Sequence, residues 1–282
     1  MSDVTGSLRR VRRAANAGAA LLALTGLVAC SGGGEEKEPP PTAPSTQAPA
    51  AAPDPGPTAG ACYPLPYDAA VAPTSEVEAV DCEQPHTSVT FAIGTIDAFV
   101  DGHLLAVDSE KVQAQVSSAC PTQLLSYVGG TLTDLRLSMI RSIWFTPTVE
   151  QSDAGATWYR CDAVLLDGAS RLADLDGDLE GALAGEGVPN KYAMCGTAAP
   201  DAEDFERVRC SAKHSWRAID VVAFEAVKYP GVKKVRAAGR TRCEDAAADV
   251  AEDPLTFQWG YEWPTKEQWA MGQKFGRCWT AD

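Results

Sequence analysis

The stretch Glu76-Val77-Glu78-Ala79-Val80-Asp81-Cys82 aligns without a gap on the later stretch Asp204-Phe205-Glu206-Arg207-Val208-Arg209-Cys210. Three residues separate each cysteine from a histidine, His86 in the first stretch and His214 in the second. A second block also recurs: Pro147-Thr148-x-Glu150-Gln151 matches Pro264-Thr265-x-Glu267-Gln268 at a constant offset of 117, which also carries Cys161 to Cys278. Two blocks that recur in the same order indicate an internal duplication.

Each repeat combines strand and helix patterns. Val77–Cys82 and Val89–Ile96 predict strands, the second because its apolar residues alternate. Residues 104–119 predict a helix, and Pro230 suits the first turn of the corresponding helix in the second repeat. We therefore expect an α+β fold of two tandem small disulfide-bonded domains, each a short antiparallel sheet with one or two helices. The first covers residues 61–185 with an acidic linker, and the second covers residues 186–282.

The N-terminal segment is typical of an exported lipoprotein. Four arginines precede an apolar run over residues 14–29, which is shorter than the ~20 residues of a membrane-spanning helix. The run ends in Leu27-Val28-Ala29-Cys30, which resembles the lipobox of bacterial lipoproteins. We predict that residues 1–29 are a signal peptide and that Cys30 carries diacylglyceryl and palmitate chains, which anchor the protein to the extracytoplasmic face of the cell membrane. An ordinary secretory signal, or a single anchor helix with an incidental cysteine, is the alternative.

A spacer rich in Pro, Ala, Gly, Thr and Ser follows over residues 30–60. Such a composition buries too little apolar surface to offset its ordering entropy, so we expect a disordered, semi-extended segment. The net charge of the chain is −14, and residues 1–29 hold one acidic and four basic residues, which leaves about −17 on the remainder. This acidity repels nucleic acid, which we exclude as a partner. The predicted contact with the lipid bilayer therefore depends on the acylated Cys30.

The eight other cysteines fall into two sets of four with the same short-long-long spacing. An even number of cysteines in an exported chain is typical of disulfides. Cys120 follows Val116 by four residues and Cys243 follows Gly239 by four, so each of these cysteines shares a buried helical stripe. Confinement of the pairs to their own repeat leaves nine connectivities. Among them we predict first-to-second and third-to-fourth pairing: Cys62–Cys82, Cys120–Cys161, Cys195–Cys210 and Cys243–Cys278.

Taken together, each repeat has a cysteine, a Val-x-Cys-x3-His segment, a helix with a cysteine, and then Pro-Thr, Gly and a final cysteine. This pattern resembles the septum-formation domain family of actinobacterial exported and membrane proteins. Cys82-Glu83-Gln84-Pro85-His86 is similar to the Cys-x-x-Pro-His signature of that family, whereas Lys213 replaces the proline in the second repeat. Only the second repeat has the tryptophan of the Pro-x4-Trp-x2-Gly motif, Trp269, where the first has Ser152. The resemblance covers about residues 60–166 and 190–282, as two tandem copies, and implies a cell-envelope protein of division or septum formation without catalytic residues.

Candidate reactive residues are few. His86 and His214 lie near cysteines, but a Cys-x3-His pair is a weak metal signal when the thiols are oxidised, which favours structural histidines bonded to the backbone. The acidic run over residues 174–180 differs from a calcium loop, because Gly185 stands where the bidentate glutamate belongs, and it favours a solvated turn between the repeats. The chain has no GxSxG, HExxH, Walker-type or GxGxxG motif. We predict no enzymatic activity, no catalytic residue, no metal and no cofactor.

Aromatic residues crowd the C-terminus: Phe257, Trp259, Tyr261, Trp263, Trp269, Phe275 and Trp279. Alternation at positions 257, 259, 261 and 263 places four of them on one face of a strand, which favours a role in the core. If they are exposed, they form a stacking platform for a glycan or a peptide.

The sequence therefore predicts a non-enzymatic, membrane-anchored lipoprotein that binds a protein or a wall component, with envelope or division proteins as its expected partners. A glycan- or small-molecule-binding lipoprotein that uses the aromatic C-terminal repeat is the second hypothesis. An extracellular hydrolase or thiol-exchange enzyme is the third, and the absence of a Cys-x-x-Cys motif argues against thiol exchange.

Overall fold

Two antiparallel sheets, one in each repeat, form the framework of the protein. The computed structural model describes residues 56–253 and 255–282, so the predicted signal peptide, the predicted lipidation site Cys30 and most of the spacer lie outside the described residues. The elements of the first repeat are β1 (Cys62–Tyr63), α1 (Tyr67–Ala70), β2 (Ser88–Thr95), β3 (Phe99–Val100), β4 (His103–Leu104), α2 (Glu110–Val128), α3 (Leu132–Leu137), β5 (Ile140–Phe145), α4 (Val149–Asp153) and β6 (Trp158–Leu165). Those of the second are β7 (Met194–Gly196), β8 (Arg207–Arg209), β9 (Trp216–Ala223), α5 (Val232–Ala238), α6 (Arg240–Val250), β10 (Trp259–Glu262), α7 (Lys266–Ala270) and β11 (Phe275–Ala281).

The two sheets have the same strand order. The first runs β1-β2-β6-β5, and the second, read in the matching direction, runs β8-β7-β9-β11-β10. All neighbouring strands in both sheets are antiparallel. The extra strand β8 corresponds to an isolated bridge between Val80 and Cys62 in the first repeat, where the sequence predicts a longer strand. The backbone therefore repeats the duplication that the sequence shows, within an α+β arrangement of helices on antiparallel sheets.

The long helix α2 packs its apolar stripe against the first sheet. The stripe consists of residues four apart, all buried: Val112, Val116, Cys120, Leu124 and Val128. The helix begins at Glu110 and not near Leu104, as the sequence predicts, because Leu104 pairs with Phe99 in the β3–β4 hairpin. It also continues nine residues beyond the predicted end at residue 119.

The corresponding helical region of the second repeat is split at Gly239 into α5 and α6. The ring of Tyr261 packs against the Gly239 backbone so closely that a Cβ at this position would lie 2.3 Å from the ring. Helix α5 begins at Val232, two residues after Pro230, with Gly231 as the residue before its first turn. The spacing of Val235, Gly239 and Cys243 nevertheless puts all three on the buried side.

Four disulfides join the pairs Cys62–Cys82, Cys120–Cys161, Cys195–Cys210 and Cys243–Cys278. The prediction of disulfide bonding is thus confirmed, and each bridge lies within its own repeat. The Cys120–Cys161 bridge joins α2 to β6, and the Cys243–Cys278 bridge joins α6 to β11. Strands β6 and β11 are the last strands of their repeats in chain order. Cys82 is the one exposed partner among these eight residues; the other seven are buried.

One hydrophobic core extends across both repeats. Its members in the first repeat include Val89, Leu124 and Ile140, and its members in the second include Ala218 and Trp279. The described residues lie within a single compact unit, Ala50–Asp282, so the packing does not divide them into two separate tandem domains. The two repeats also share a backbone bridge between Ser138 and Ala193.

The acidic run between the repeats belongs to this shared core. Its acidic side chains are exposed, as expected, but Leu175 and Leu179 are 7% and 2% exposed and pack in the core with Leu183. Three leucines, spaced four residues apart, therefore anchor the connection in the core, so it is not a solvated turn alone. Among the helices that the structure describes, none is long and apolar enough to cross a membrane.

Candidate functional site

Both predicted structural histidines contact the backbone in the same way. The Nδ1 atom of His86 lies 2.8 Å from the carbonyl oxygen of Gln84, and that of His214 lies 2.7 Å from the carbonyl oxygen of Ala212. In each case the carbonyl belongs to the residue two positions earlier in the chain. The Nε2 atom of His86 lies 3.1 Å from the carbonyl oxygen of Gly177, so this ring also links the first strand region to the acidic run. These contacts fit a role in holding the loop before β2 and the loop before β9.

One group of possible metal ligands occurs among the described residues. It comprises Cys195, His214 and Asp282, whose donor atoms lie within 4.8 Å of one another. The sulfur of Cys195, however, is bonded to Cys210, and a disulfide sulfur is not the thiolate that binds zinc. Asp282 instead accepts a hydrogen bond from Arg217. The geometry gives no reason to place a metal here.

The repeated Pro-Thr-x-x-Gln motif forms a helix cap in both repeats. Thr148 accepts a hydrogen bond from the backbone N–H of Gln151, and the side chain of Gln151 accepts one from the backbone N–H of Thr148. Thr265 and Gln268 make the same reciprocal pair at the start of α7. A capping box satisfies two N–H groups that a helix otherwise leaves without partners. This motif is therefore explained by folding, and it is not a candidate binding site.

The C-terminal aromatic residues divide into a buried set and a set that lines a groove. Trp279 is fully buried and Trp269 is 5% exposed, and both belong to the protein interior. Tyr261 is 8% exposed, whereas Trp259 and Trp263 are only partly buried. The expectation that the alternating face belongs to the core holds for Tyr261. On either side of it, the two tryptophans leave part of their rings open.

A groove of about 660 Å³ lies between this strand and the helical region of the second repeat. Its sheet side carries the rings of Trp216, Trp259, Tyr261 and Trp263 together with Gly260. Its helix side carries Lys233, Arg236, Ala237 and Arg240, and the loop after β7 adds Pro200 and Asp201. Strands β9, β11 and β10 are neighbours in the sheet, so their pairing brings Trp216 close to residues more than 40 positions later.

The helix side of the groove is positively charged. Six basic residues and no acidic one occur over residues 228–242, within a chain whose net charge is −14. The guanidinium carbon of Arg236 lies 4.8 Å from the centroid of the Trp263 ring. Burial raises the pKa of Tyr261 well above its ordinary value, and the Glu262 carboxylate adds to this effect, so the phenol stays uncharged. Asp201 is the one carboxylate of the lining.

The first repeat does not carry this combination of residues. Trp144 pairs with Cys161 as Tyr261 pairs with Cys278, so Ser142 takes the place of Trp259 and Thr146 that of Trp263. Counted from the helical cysteines Cys120 and Cys243, Lys233, Arg236 and Arg240 correspond to Glu110, Gln113 and Ser117. The two repeats thus share a fold, but only the second has the aromatic and cationic groove.

Sequence reasoning identified the aromatic strand but missed the rest of this site. The basic run over residues 228–242 was a visible signal, because it stands out against the acidity of the whole chain. Trp216 and Pro200 gave no such signal, because only the order of the strands brings them to the groove.

Residues 59–278 match the family described as Septum formation, and the chain belongs to that family. The match is a single one that runs through both repeats, so it does not assign one family copy to each repeat. Neither a curated protein nor a solved structure matches the chain.

Proposed function

We propose that this member of the Septum formation family is a lipid-anchored, non-enzymatic protein of the cell envelope that binds an anionic wall component during septum formation. The observation that carries the proposal is the groove of the second repeat, where tryptophan rings face a cationic helix. The family assignment supports the link to cell division.

The chemistry of the groove suits a ligand with both flat apolar surface and negative charge. Sugar rings present C–H faces that pack on indole rings, and tryptophan brings a large apolar area with specific geometry. Guanidinium groups pair with carboxylates in a bidentate manner. Peptidoglycan fragments combine sugar rings with peptide carboxylates, so they present both features in one molecule. Trp259 and Trp263 would hold the sugar, and Arg236 and Arg240 the carboxylates.

The predicted anchor fits this role. Acylation of Cys30 would tether the chain to the outer face of the membrane, and the proline-rich composition of residues 30–60 is typical of a semi-extended spacer. A wall ligand lies on that side of the membrane. In the groove, the tryptophans and basic residues are not arranged as a nucleophile with its base, which supports binding rather than catalysis.

Fluorescence titration of the full chain with soluble muropeptides tests the groove directly. We expect saturable quenching of tryptophan emission, and an affinity that falls as salt rises because the cationic contribution is screened. The variants Trp263→Ala and Arg236→Gln should each weaken binding about tenfold, a loss of about 1.4 kcal/mol. Trp144→Phe, at a tryptophan of the first repeat, is the matched control and should bind as the wild type does. A flat titration, or an equal loss in the control, would contradict the proposal.

The septal role needs a test in cells. A strain that carries Arg236→Gln together with Trp263→Ala at the native locus should show the same septum defects as a deletion strain, while the protein level stays normal. A photo-crosslinking residue at position 237, which lines the groove, should give adducts with glycan material. An adduct with a protein at that position would contradict the proposed wall ligand and indicate a protein partner instead. Normal septa in the double variant would remove the proposed role.

A further inference from the structure

A cluster of arginines lies where the two repeats meet, on the face of the second sheet opposite the groove. Its members are Arg141 on β5, Arg207 on β8 and Arg277 on β11, with the carboxylate of Glu262 on β10 between the last two. Glu262 follows Tyr261 along its strand, and successive side chains of a strand point to opposite faces. The groove and the cavity beside the arginines have no lining residue in common, so the arginines belong to a separate site.

This cluster holds more positive charge than its partners neutralise. Arg207 and Arg277 share the single carboxylate of Glu262, with a distance of 3.7 Å from Arg277 Nη1 to Glu262 Oε2. Arg141 has only neutral acceptors, since it donates to the carbonyl oxygens of Ser138 at 3.0 Å and Ile140 at 2.6 Å. Three guanidinium groups therefore lie near the one carboxylate of Glu262, so the buried cluster has an excess of positive charge.

The excess charge disfavours the protonated arginines. Burial, together with the nearby charges of Arg277 and Arg207, lowers the pKa of Arg141 to about 9 against the opposing effect of Glu262. Burial likewise lowers the pKa of Arg277 to about 10, against the opposing effect of Glu262. Near neutral pH Arg141 and Arg277 remain charged. The fold therefore holds like-charged arginines close together, which is electrostatically unfavourable, and a bound anion would offset their repulsion.

The first repeat shows that the excess is not inherent in the fold. Arg160 occupies the position of Arg277, and it pairs one-to-one with Asp162 at 3.3 Å. Asp162 also accepts hydrogen bonds from Ser88 and Thr90. In the second repeat Trp279 takes the place of Asp162 and contributes no charge. The balanced ion pair of one repeat corresponds to an unbalanced cluster in the other.

A cavity of about 340 Å³ adjoins these arginines. Its lining includes the amide side chains of Gln268 and Gln273, which add neutral hydrogen-bond donors, and the exposed Glu206. The Nε atom of Arg207 is buried and has no hydrogen-bond partner. The side chain of Arg207 is 37% exposed, so the cluster is not sealed from solvent.

We propose that this cavity binds a phosphoryl dianion between Arg141, Arg207 and Arg277, with Gln268 and Gln273 as further donors. The three arginines keep this site positively charged even when Glu262 and the exposed Glu206 are both counted, which suits an anion such as a phosphomonoester, whose second pKa is about 6. Planar guanidinium groups also match the oxygens of phosphate in bidentate geometry. The cavity exceeds the size of a lone phosphate, which leaves room for the organic group that carries it. This ligand is independent of the muropeptide proposed for the groove.

Isothermal titration calorimetry of the full chain with inorganic phosphate tests the site. We expect saturable binding at pH 7.5 that weakens several-fold at pH 5, where phosphate is a monoanion. Glycerol 3-phosphate and a glycerol phosphodiester distinguish the source of the group: a monoester from a solute should bind at least tenfold more tightly than the diester of a wall polymer or lipid headgroup. Equal affinity for the two, or no heat at millimolar phosphate, would overturn the proposal.

Variants that each remove one charge test whether phosphate binds at the arginine cluster. Arg207→Gln should weaken phosphate binding at least tenfold, whereas Arg236→Gln removes the same charge from the groove and should leave it unchanged. Glu262→Gln removes the carboxylate of the cluster and should strengthen phosphate binding. The thermal unfolding midpoint of each variant is measured with and without phosphate, because a folded variant that no longer gains stability from phosphate has lost the site. Equal weakening in Arg236→Gln and Arg207→Gln would show nonspecific attraction and overturn the assignment, whatever muropeptides do at the groove.

Discussion

The guanidinium group of Arg236 lies over the ring of Trp263, with 4.8 Å between the guanidinium carbon and the ring centroid. Arg236 is exposed, and a cation–π contact at an exposed site contributes only about 0.5–1 kcal/mol. We therefore expect Arg236→Gln to change the free energy of unfolding by less than about 1 kcal/mol, although it weakens ligand binding. Urea denaturation of the two proteins measures this difference. A larger loss of stability would mean that Arg236 is a structural residue.

Gly239 is a position where an added methyl group should destabilise the protein. A Cβ here would meet the Tyr261 ring at 2.3 Å, so Gly239→Ala should destabilise the protein by about 1–3 kcal/mol through overpacking. An alanine in an open helix would instead stabilise it. Gly185→Ala is the control, because nothing lies within 4 Å of the added carbon. Thermal unfolding should show a lower midpoint for the first variant alone, and equal midpoints would contradict the close packing of Tyr261.

The four disulfides should differ in their resistance to reduction. Cys82 is exposed, whereas both cysteines of the Cys120–Cys161 and Cys243–Cys278 bridges are fully buried. Because a reductant must reach a sulfur atom, we expect Cys62–Cys82 to open first under native conditions. Timed reduction with alkylation and peptide mapping gives the order. Early labelling of Cys120 or Cys243 would contradict the burial of those bridges.

The stability that is lost when a disulfide is removed should increase with the length of the loop that it closes. The Cys120–Cys161 bridge spans 41 residues and the Cys195–Cys210 bridge spans 15. Loop-closure entropy alone then favours the longer one, by roughly 4 against 3 kcal/mol. Paired alanine substitutions of each bridge, compared by denaturant unfolding, test the ranking. The reverse order would show that folded-state packing outweighs the entropy of the unfolded chain.

The capping boxes of the two repeats predict equal effects at equivalent positions. Thr148→Ala and Thr265→Ala each remove the hydroxyl that accepts a backbone N–H at a helix start. Each should cost about 1 kcal/mol, and the serine variants should retain most of the stability. Muropeptide and phosphate binding should not change in either variant. A strong loss of binding in Thr265→Ala would give the motif a functional role that its geometry does not suggest.

Much of the fold could be predicted from the sequence, because repeated spacing carries information about pairing. Cys120 and Cys243 occur in four-residue register with buried residues, and the structure pairs both with the last strand of their repeat. The start of α2 was predicted too early, because the pairing of Phe99 with Leu104 depends on a hairpin that helical periodicity does not reveal.

The packing of the repeats and most of the groove could not be predicted in this way. Local patterns show which face of a strand is apolar, but they do not show which other element covers it. For example, Ala218 and Trp279 pack in one core with residues of the first repeat, and no local pattern predicts this contact. For the groove, the alternation around Tyr261 was visible, yet the approach of Trp216 depends on the strand order of the second sheet.

The common core has a consequence for how this chain can evolve. Its sequence records two units, but either unit alone would present to water the apolar residues that the other now covers. Deletion of either repeat, or its transfer alone into another protein, would therefore expose part of this core. A substitution that loosens the core in one repeat should therefore also destabilise the other repeat.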